Sequence, residues 1–198
     1  MSDSFLQLRT AFNTLTPLPD PEWDRLKKIF QNRQVNLNDF VSHPGDEAHE
    51  LIFVTQGLLR FYYLTADGKE SNKAFIVENQ FAGPLASAVL GIPIYYGIQA
   101  LEPTSMLVAP FQAFTELYET SIHLERLGRK FAELLLVRKE LRTRSLLEQT
   151  ATERYQDLLH KSPHLIERVP QYHLASYLGI AEVSLSRLKN NGRILELT

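Results

Sequence analysis

The chain contains no cysteine, which excludes disulfides, a thiolate-bound zinc and a cysteine-held iron–sulfur cluster. It also lacks any apolar run long enough to span a bilayer, and no positively charged start leads into a signal-type apolar stretch. A soluble cytoplasmic protein with no membrane contact is therefore expected. No glycine-rich phosphate loop, nucleophile elbow or kinase signature occurs, so no catalytic residue and no cofactor are expected. With 198 residues, 44% of them hydrophobic, the chain can bury one sizeable core and a smaller one. Its net charge of −2 is unevenly spread. Residues 1–124 hold 8 basic and 14 acidic side chains, and residues 125–198 hold 13 and 9. A polyanion suits only the back half.

The pattern changes along the chain. Phe5, Leu8, Phe12 and Leu15 have helical spacing, and after PLPDP a second helix is predicted, capped by Asp20 and carrying Trp23, Leu26, Ile29 and Phe30. From about Gln34 to Pro110 the period becomes two. QVNLNDFVS, ELIFVTQG, LLRFYYL, NKAFIVEN and TSMLVAP are short β-rich runs, with Asp67-Gly68 a hairpin turn. This spacing points to an antiparallel barrel or jelly roll. FQAFTELYE predicts a short helix, and residues 121–149 predict one of about 28 residues, roughly 40 Å long. Leu124, Leu127, Phe131, Leu134 and Leu141 recur on it at steps of three and four, widened by Leu135, Leu146 and Leu147. Such a stripe either seals a homodimer or packs on its own barrel. Ala151-Thr152-Glu153-Arg154 is expected to start another helix, through Tyr155, Leu158 and Leu159, that Ser162-Pro163 ends. Leu165 to Val169 is expected as a short strand.

PQYHLASYLGIAEVSLSRLKNN, residues 170–191, then reads as a helix-turn-helix. Leu174, Ala175 and Leu178 form one helical face, Gly179 breaks it, and Leu185 and Leu188 begin the next. Ala175 permits a close crossing that Ile180 and Leu185 fill. Gln171, Glu182, Val183, Ser184, Ser186, Arg187, Lys189 and Asn190 remain for an outward surface that fits a DNA major groove. The same spacing also describes an ordinary helical hairpin. Gly192 is expected to stop the second helix, and ILEL to add a closing strand.

LASYLGIAEVSLSRLKNN resembles the helix-turn-helix of the Crp/Fnr superfamily of bacterial transcription regulators, and the whole chain follows that family's order. The resemblance implies an α+β protein: an N-terminal antiparallel β-roll sensor of the cyclic-nucleotide-binding type over residues 1–120, a long dimerisation helix over 121–149, and a C-terminal winged helix-turn-helix over 150–198. It implies a homodimer on double-stranded DNA carrying an inverted-repeat operator, a contact with RNA polymerase and a small-molecule effector. The lack of cysteine separates the chain from the cluster-bearing branch of the family.

HPGDEAHELIFVTQGLLRFYYLTADGKE resembles the opening of a cyclic-nucleotide-binding domain, with Gly45, Gly57 and Gly68 at its glycine positions. In that family's ligand cassette a Glu holds the ribose and an Arg the cyclic phosphate. Here Gly83 and Leu85 remain, but Pro84 stands at the Glu position, and Ile94-Tyr95 falls where Arg-Ser is expected. Neither replacement can do that chemistry. The pocket residues Gly83, Pro84, Leu85, Ala86, Ile94, Tyr95 and Tyr96 are therefore expected to bind another effector or to fill the barrel themselves. Lys139-Glu140 stands where relatives offer hydroxyls to the base.

His43, Asp46, Glu47, His49 and Glu50 crowd one stretch and resemble the tail of a cupin metal motif, without its closely spaced histidine pair. A cupin-like metal enzyme and a sensor-fold protein-interaction module are the alternatives; no metal is expected. His160 and His164 bracket Ser162-Pro163 and do not share a face. His123 and His173 are expected at the surface or at helix ends.

Overall fold

The computed structural model describes residues 3–47 and 49–195, with side chains described to residue 190. Helices α1 (Asp3–Leu15) and α2 (Asp20–Lys27) precede eight strands: β1 (Gln31–Val35), β2 (Phe40–Ser42), β3 (Glu50–Gln56), β4 (Leu59–Leu64), β5 (Glu70–Ile76), β6 (Phe81–Ala82), β7 (Gly97–Ala100) and β8 (Thr104–Pro110). Helix α3 (Leu85–Leu90) lies between β6 and β7. The strands form two antiparallel four-stranded sheets, ordered β1-β8-β3-β6 and β2-β7-β4-β5. Residues 65–69 make the expected hairpin turn between β4 and β5, with Gly68 N–H donating to Thr65 C=O.

Strand periodicity explains why β3 and β8 read as unbroken apolar runs. Ile52, Val54, Met106 and Val108 point into the roll, while Leu51, Phe53, Leu107 and Ala109 point out under a layer of helices. Both faces are covered, so neither needs polar residues. The helical layer comprises α1, α2, α4 (Phe111–Glu116) and the first half of α5 (Ile122–Glu148). Ser121 caps α5, its hydroxyl accepting from Leu124 N–H. Asp20 lies inside α2 rather than capping it; Pro19 takes the cap position and the Asp20 carboxylate pairs with Arg9.

The remaining chain is helical: α6 (Ala151–Lys161), α7 (Pro163–Arg168), α8 (Gln171–Leu178) and α9 (Glu182–Leu195). Thr150 and Glu153 form a reciprocal capping box that starts α6. The strand expected at Leu165 to Val169 is instead α7. Pro163, whose fixed φ suits a first helical turn, starts it, and buried Val169 leaves it in an extended conformation, its N–H donating to Leu165 C=O at 3.0 Å. Gly192 does not stop α9, which continues to Leu195; an isolated glycine costs a helix only about 1 kcal/mol. Of the expected closing strand ILEL, Ile194 and Leu195 are thus helical, while Glu196 and Leu197 lie outside the described residues. No wing strand occurs among the described residues.

Candidate nucleic-acid interface and sensor pocket

Helices α8 and α9 are joined by a turn that glycine makes possible. Gly179 has φ +70° and caps α8, and the next N–H, from Ile180, returns to Ala175 C=O at 3.0 Å. Leu174, Ala175, Leu178 and Leu185 are wholly buried where the helices meet. Two cations complete the end of α8. Arg154 donates to Leu178 C=O at 2.9 Å, and Arg142 donates to Tyr177 C=O while lying over the Tyr177 ring. The opposite side of α9 is free. Glu182, Val183, Ser184, Ser186, Arg187 and Asn190 are exposed, as is Gln171 at the start of α8; Lys189 is half-buried. Among the described residues no carboxylate pairs with Arg187 or Lys189.

The other side of this helical unit rests on the roll. Leu58, Phe75, Val77 and Leu101 of the roll share a core with Tyr155, Leu158, Leu165, Val169 and Leu174. Around it lies a polar seam. Arg168 pairs with Glu78 at 2.9 Å and Glu102 at 2.7 Å, which holds the Glu78 carboxyl down to about 2. Asn72 N–H donates to Ser176 Oγ at 2.9 Å. Buried Arg60 pairs with Glu70 at 2.5 Å and faces His173. His173 is buried rather than at the surface. Asn72 Nδ2 stands 3.1 Å from its Nδ1 and Arg60 Nη1 3.4 Å, so that nitrogen is the acceptor of a neutral ring. Burial and the Arg60 charge push its pKa down to about 4. These residues are far apart in sequence, and no local pattern marks them.

In the cassette, Gly83 has φ +153°, and a Cβ there would stand 2.6 Å from Glu50 C=O. Pro84 is buried and leads into α3, while Leu85 and Ala86 are half-buried. Ile94 and Tyr96 project into the roll and are 1% and 2% exposed. The Tyr96 hydroxyl donates to Gly83 C=O at 2.9 Å, and burial pushes its pKa well above the ordinary phenol range. The roll is therefore filled by its own side chains. A cavity of about 10 Å³ beside Gly83, Pro84 and Leu85 holds one water at most. Tyr95 turns out of the roll and stacks parallel to Tyr63, ring centres 6.1 Å apart.

The long helix is not one continuous seam. Leu124, Leu127 and Phe131, expected at a dimer interface, are 0–3% exposed in the chain's own core beneath α1, α2 and α4. The roll is long enough to cover only the first half of the stripe. Leu134 is half-buried, and Leu136, Val137, Leu141 and Leu147 are exposed.

The His, Asp and Glu cluster that resembles the tail of a cupin metal motif is engaged in other contacts. Asp46 accepts from His43 N–H, His49 Nε2 meets Ile92 C=O, and both Glu50 oxygens accept from Arg33. Among the described residues no three His, Asp or Glu side chains are arranged to hold a metal. No described helix is long and apolar enough to cross a membrane.

Comparison with known proteins agrees with this architecture. Residues 32–121 match the family described as "Cyclic nucleotide-binding domain". No curated protein sequence matches. Among solved structures, FixK2 from Bradyrhizobium japonicum is similar over 85% of this chain and 86% of its own, with TM-score 0.72 and 17% identity. The c-di-GMP responsive global regulator CLP of Xanthomonas campestris is similar over 90% and 94%, with TM-score 0.67 and 17% identity. The Thermus thermophilus catabolite activator protein is similar over 89% and 84%, with TM-score 0.55 and 22% identity. Residues 32–121 thus match a cyclic nucleotide-binding domain, and the chain as a whole shares the fold of these three solved proteins.

Proposed function

We propose that this chain is a homodimeric, sequence-specific DNA-binding transcription regulator, with a sensor at residues 1–120, a dimerising helix at 121–149 and a DNA-reading unit at 150–198. One observation carries the reading: α8 and α9 meet through buried Leu174, Ala175 and Leu185, while Arg187 and its exposed neighbours form an outward row with no counter-ion among the described residues. Val183, Ser184 and Arg187 are three or four residues apart and so share a face. Arg187 forks to a guanine, Glu182 accepts from cytosine, and Val183 meets a thymine methyl. Exposed Leu136, Val137 and Leu141 pair with their copies across a two-fold axis, repeating the contacts in half-sites about 34–36 Å apart. Selection from a random DNA pool tests the reading, with an inverted repeat expected. Binding to no sequence at any salt would leave a module acting through protein contacts, and equal binding to every sequence would overturn sequence-specific reading.

The sensor does not take a cyclic nucleotide. Ile94 and Tyr96 occupy the roll, and Pro84 offers no ribose acceptor. Titration calorimetry with cyclic AMP and cyclic GMP is expected to show no saturable heat. A micromolar site with one nucleotide per subunit would mean that the side chains filling the roll move aside.

A further inference from the structure

The mouth of the roll holds a cation that the reading above leaves unused. The β4–β5 ladder shifts register between Phe61↔Ala74 and Tyr62↔Asn72, so Lys73 is the extra residue of a β-bulge. The bulge sends Asn72 towards α8, and Lys73 to the aromatic cluster at the mouth of the roll. Lys73 Nζ stands 3.9 Å above the Tyr96 ring and 5.6 Å from that of Tyr63. Tyr63 is parallel to Tyr95, and Tyr95 is perpendicular to Tyr96 at 5.4 Å. Lys73 makes no ion pair or hydrogen bond with any described residue. Burial, and after it the charge of Lys139 of α5, bring its pKa down to about 8. The hydroxyls of Tyr63 and Tyr95 also make no hydrogen bond among the described residues, and both rings are exposed.

We propose that Lys73, Lys139 and the Tyr63–Tyr95 pair form a binding site for a small organic anion with a flat body, such as an aromatic phosphate ester or carboxylate. Lys73, without an ion pair among the described residues, and Lys139 make the local potential positive, and ring faces compensate a half-buried ammonium less fully than a charge-assisted hydrogen bond does. The tyrosine hydroxyls donate to the same anion, and the exposed ring faces stack on its flat body. This site borders the cassette pocket, sharing Tyr95 with it and drawing on Lys139 at its α5 side, but its chemistry is different. It takes its charge from β5 and α5, while the interior stays filled by Ile94 and Tyr96.

Calorimetric titration of the full chain with phenyl phosphate, and separately with inorganic phosphate, tests the site without DNA, so its failure is distinct from failure of the DNA-binding reading. Phenyl phosphate is expected to bind one per chain at millimolar Kd or tighter, and inorganic phosphate more weakly. Lys73→Gln should weaken the ester at least tenfold, Lys73→Arg should retain it, and Tyr95→Ala should lose the preference for the ester over inorganic phosphate. Thermal melting checks that each variant is folded. No saturable binding by the wild type, or undiminished binding by a folded Lys73→Gln variant, would overturn the proposal. An equal Kd for phosphate and its phenyl ester would overturn the role of the tyrosines.

Discussion

At the scale of single residues, the proposed DNA contact divides reading from positioning along α9. Arg187 is exposed in the middle of the outward row, whereas Lys189 is half-buried at its edge. Arg187→Ala should cost about 1–3 kcal/mol per half-site and relax the base preference at one position. Lys189→Ala should weaken all sequences alike and flatten the dependence on salt. Operator selection with each variant, followed by binding over a salt series, distinguishes the roles. The assignment fails if Arg187→Ala keeps every base preference. Two glycines give a second contrast. Gly57 has φ +98°, and a Cβ there would lie 2.5 Å from Thr104 Oγ1 and 2.6 Å from Pro103 C=O, whereas a Cβ on Gly68, φ +79°, meets open space. Gly68→Ala should cost only the strain of a left-handed alanine, about 1–2 kcal/mol. Gly57→Ala should cost clearly more, because backbone must shift as well. Urea unfolding of the two variants measures the gap, and equal midpoints would contradict it.

At the scale of elements, α5 carries one apolar stripe that its own chain buries in the first half and leaves exposed in the second. Leu124, Leu127 and Phe131 hold the roll's helical layer together, and the same three-and-four spacing continues as Leu134, Val137 and Leu141 where that layer ends. Val137→Glu with Leu141→Glu places two carboxylates in the proposed seam, at a cost of several kcal/mol to the dimer. Sedimentation should show monomers with an unchanged roll; a full-strength dimer would place the contact elsewhere. Phe131→Ala should instead cost about 3–5 kcal/mol of fold stability, read by denaturant unfolding. A Phe131→Ala chain as stable as wild type would contradict its place in the core. The length of this helix and its stripe were legible in the sequence. Which half faces inward was not, because a three-and-four repeat has the same form whether its own chain or a copy covers it.

At the scale of the whole molecule, the C-terminal helices and the roll are joined by an apolar core ringed with ionic and hydrogen-bonded contacts, including Arg168 with Glu78 and Glu102. His173 makes this junction sensitive to pH. Its folded pKa, about 4, lies below the ordinary value of 6.5, so between those values the unfolded chain takes up a proton that the folded one refuses. Stability therefore falls as pH drops from 6.5 to 4, by about 2 kcal/mol between pH 7 and pH 5. Glu78 acts lower down. Its folded pKa of about 2 gives stability that is present above 4.5 and lost as pH falls towards 2. Urea unfolding at pH 7 and pH 5 should show the first loss in the wild type and a reduced one in His173→Asn. The same slope in both would place the titrating group elsewhere.

Local chemistry in the sequence determined the element order. Alternation marked most of the strands, Asp67-Gly68 the hairpin, and Gly179 the turn between α8 and α9. Each depends on residues within a few positions of one another, where backbone preference and side-chain period act directly. Residues 165–169 read as a short apolar strand, but Pro163 starts a short helix there and only Val169 is extended, a balance set by the core that Leu165 and Val169 enter. The tertiary structure alone decided that His173 is buried beside Arg60 and that Arg168 joins Glu78 and Glu102. It also decided that Ile94 and Tyr96 fill the roll while Tyr95 leaves it. Those outcomes depend on groups brought together from distant parts of the chain, and on volume and charge that no local spacing encodes.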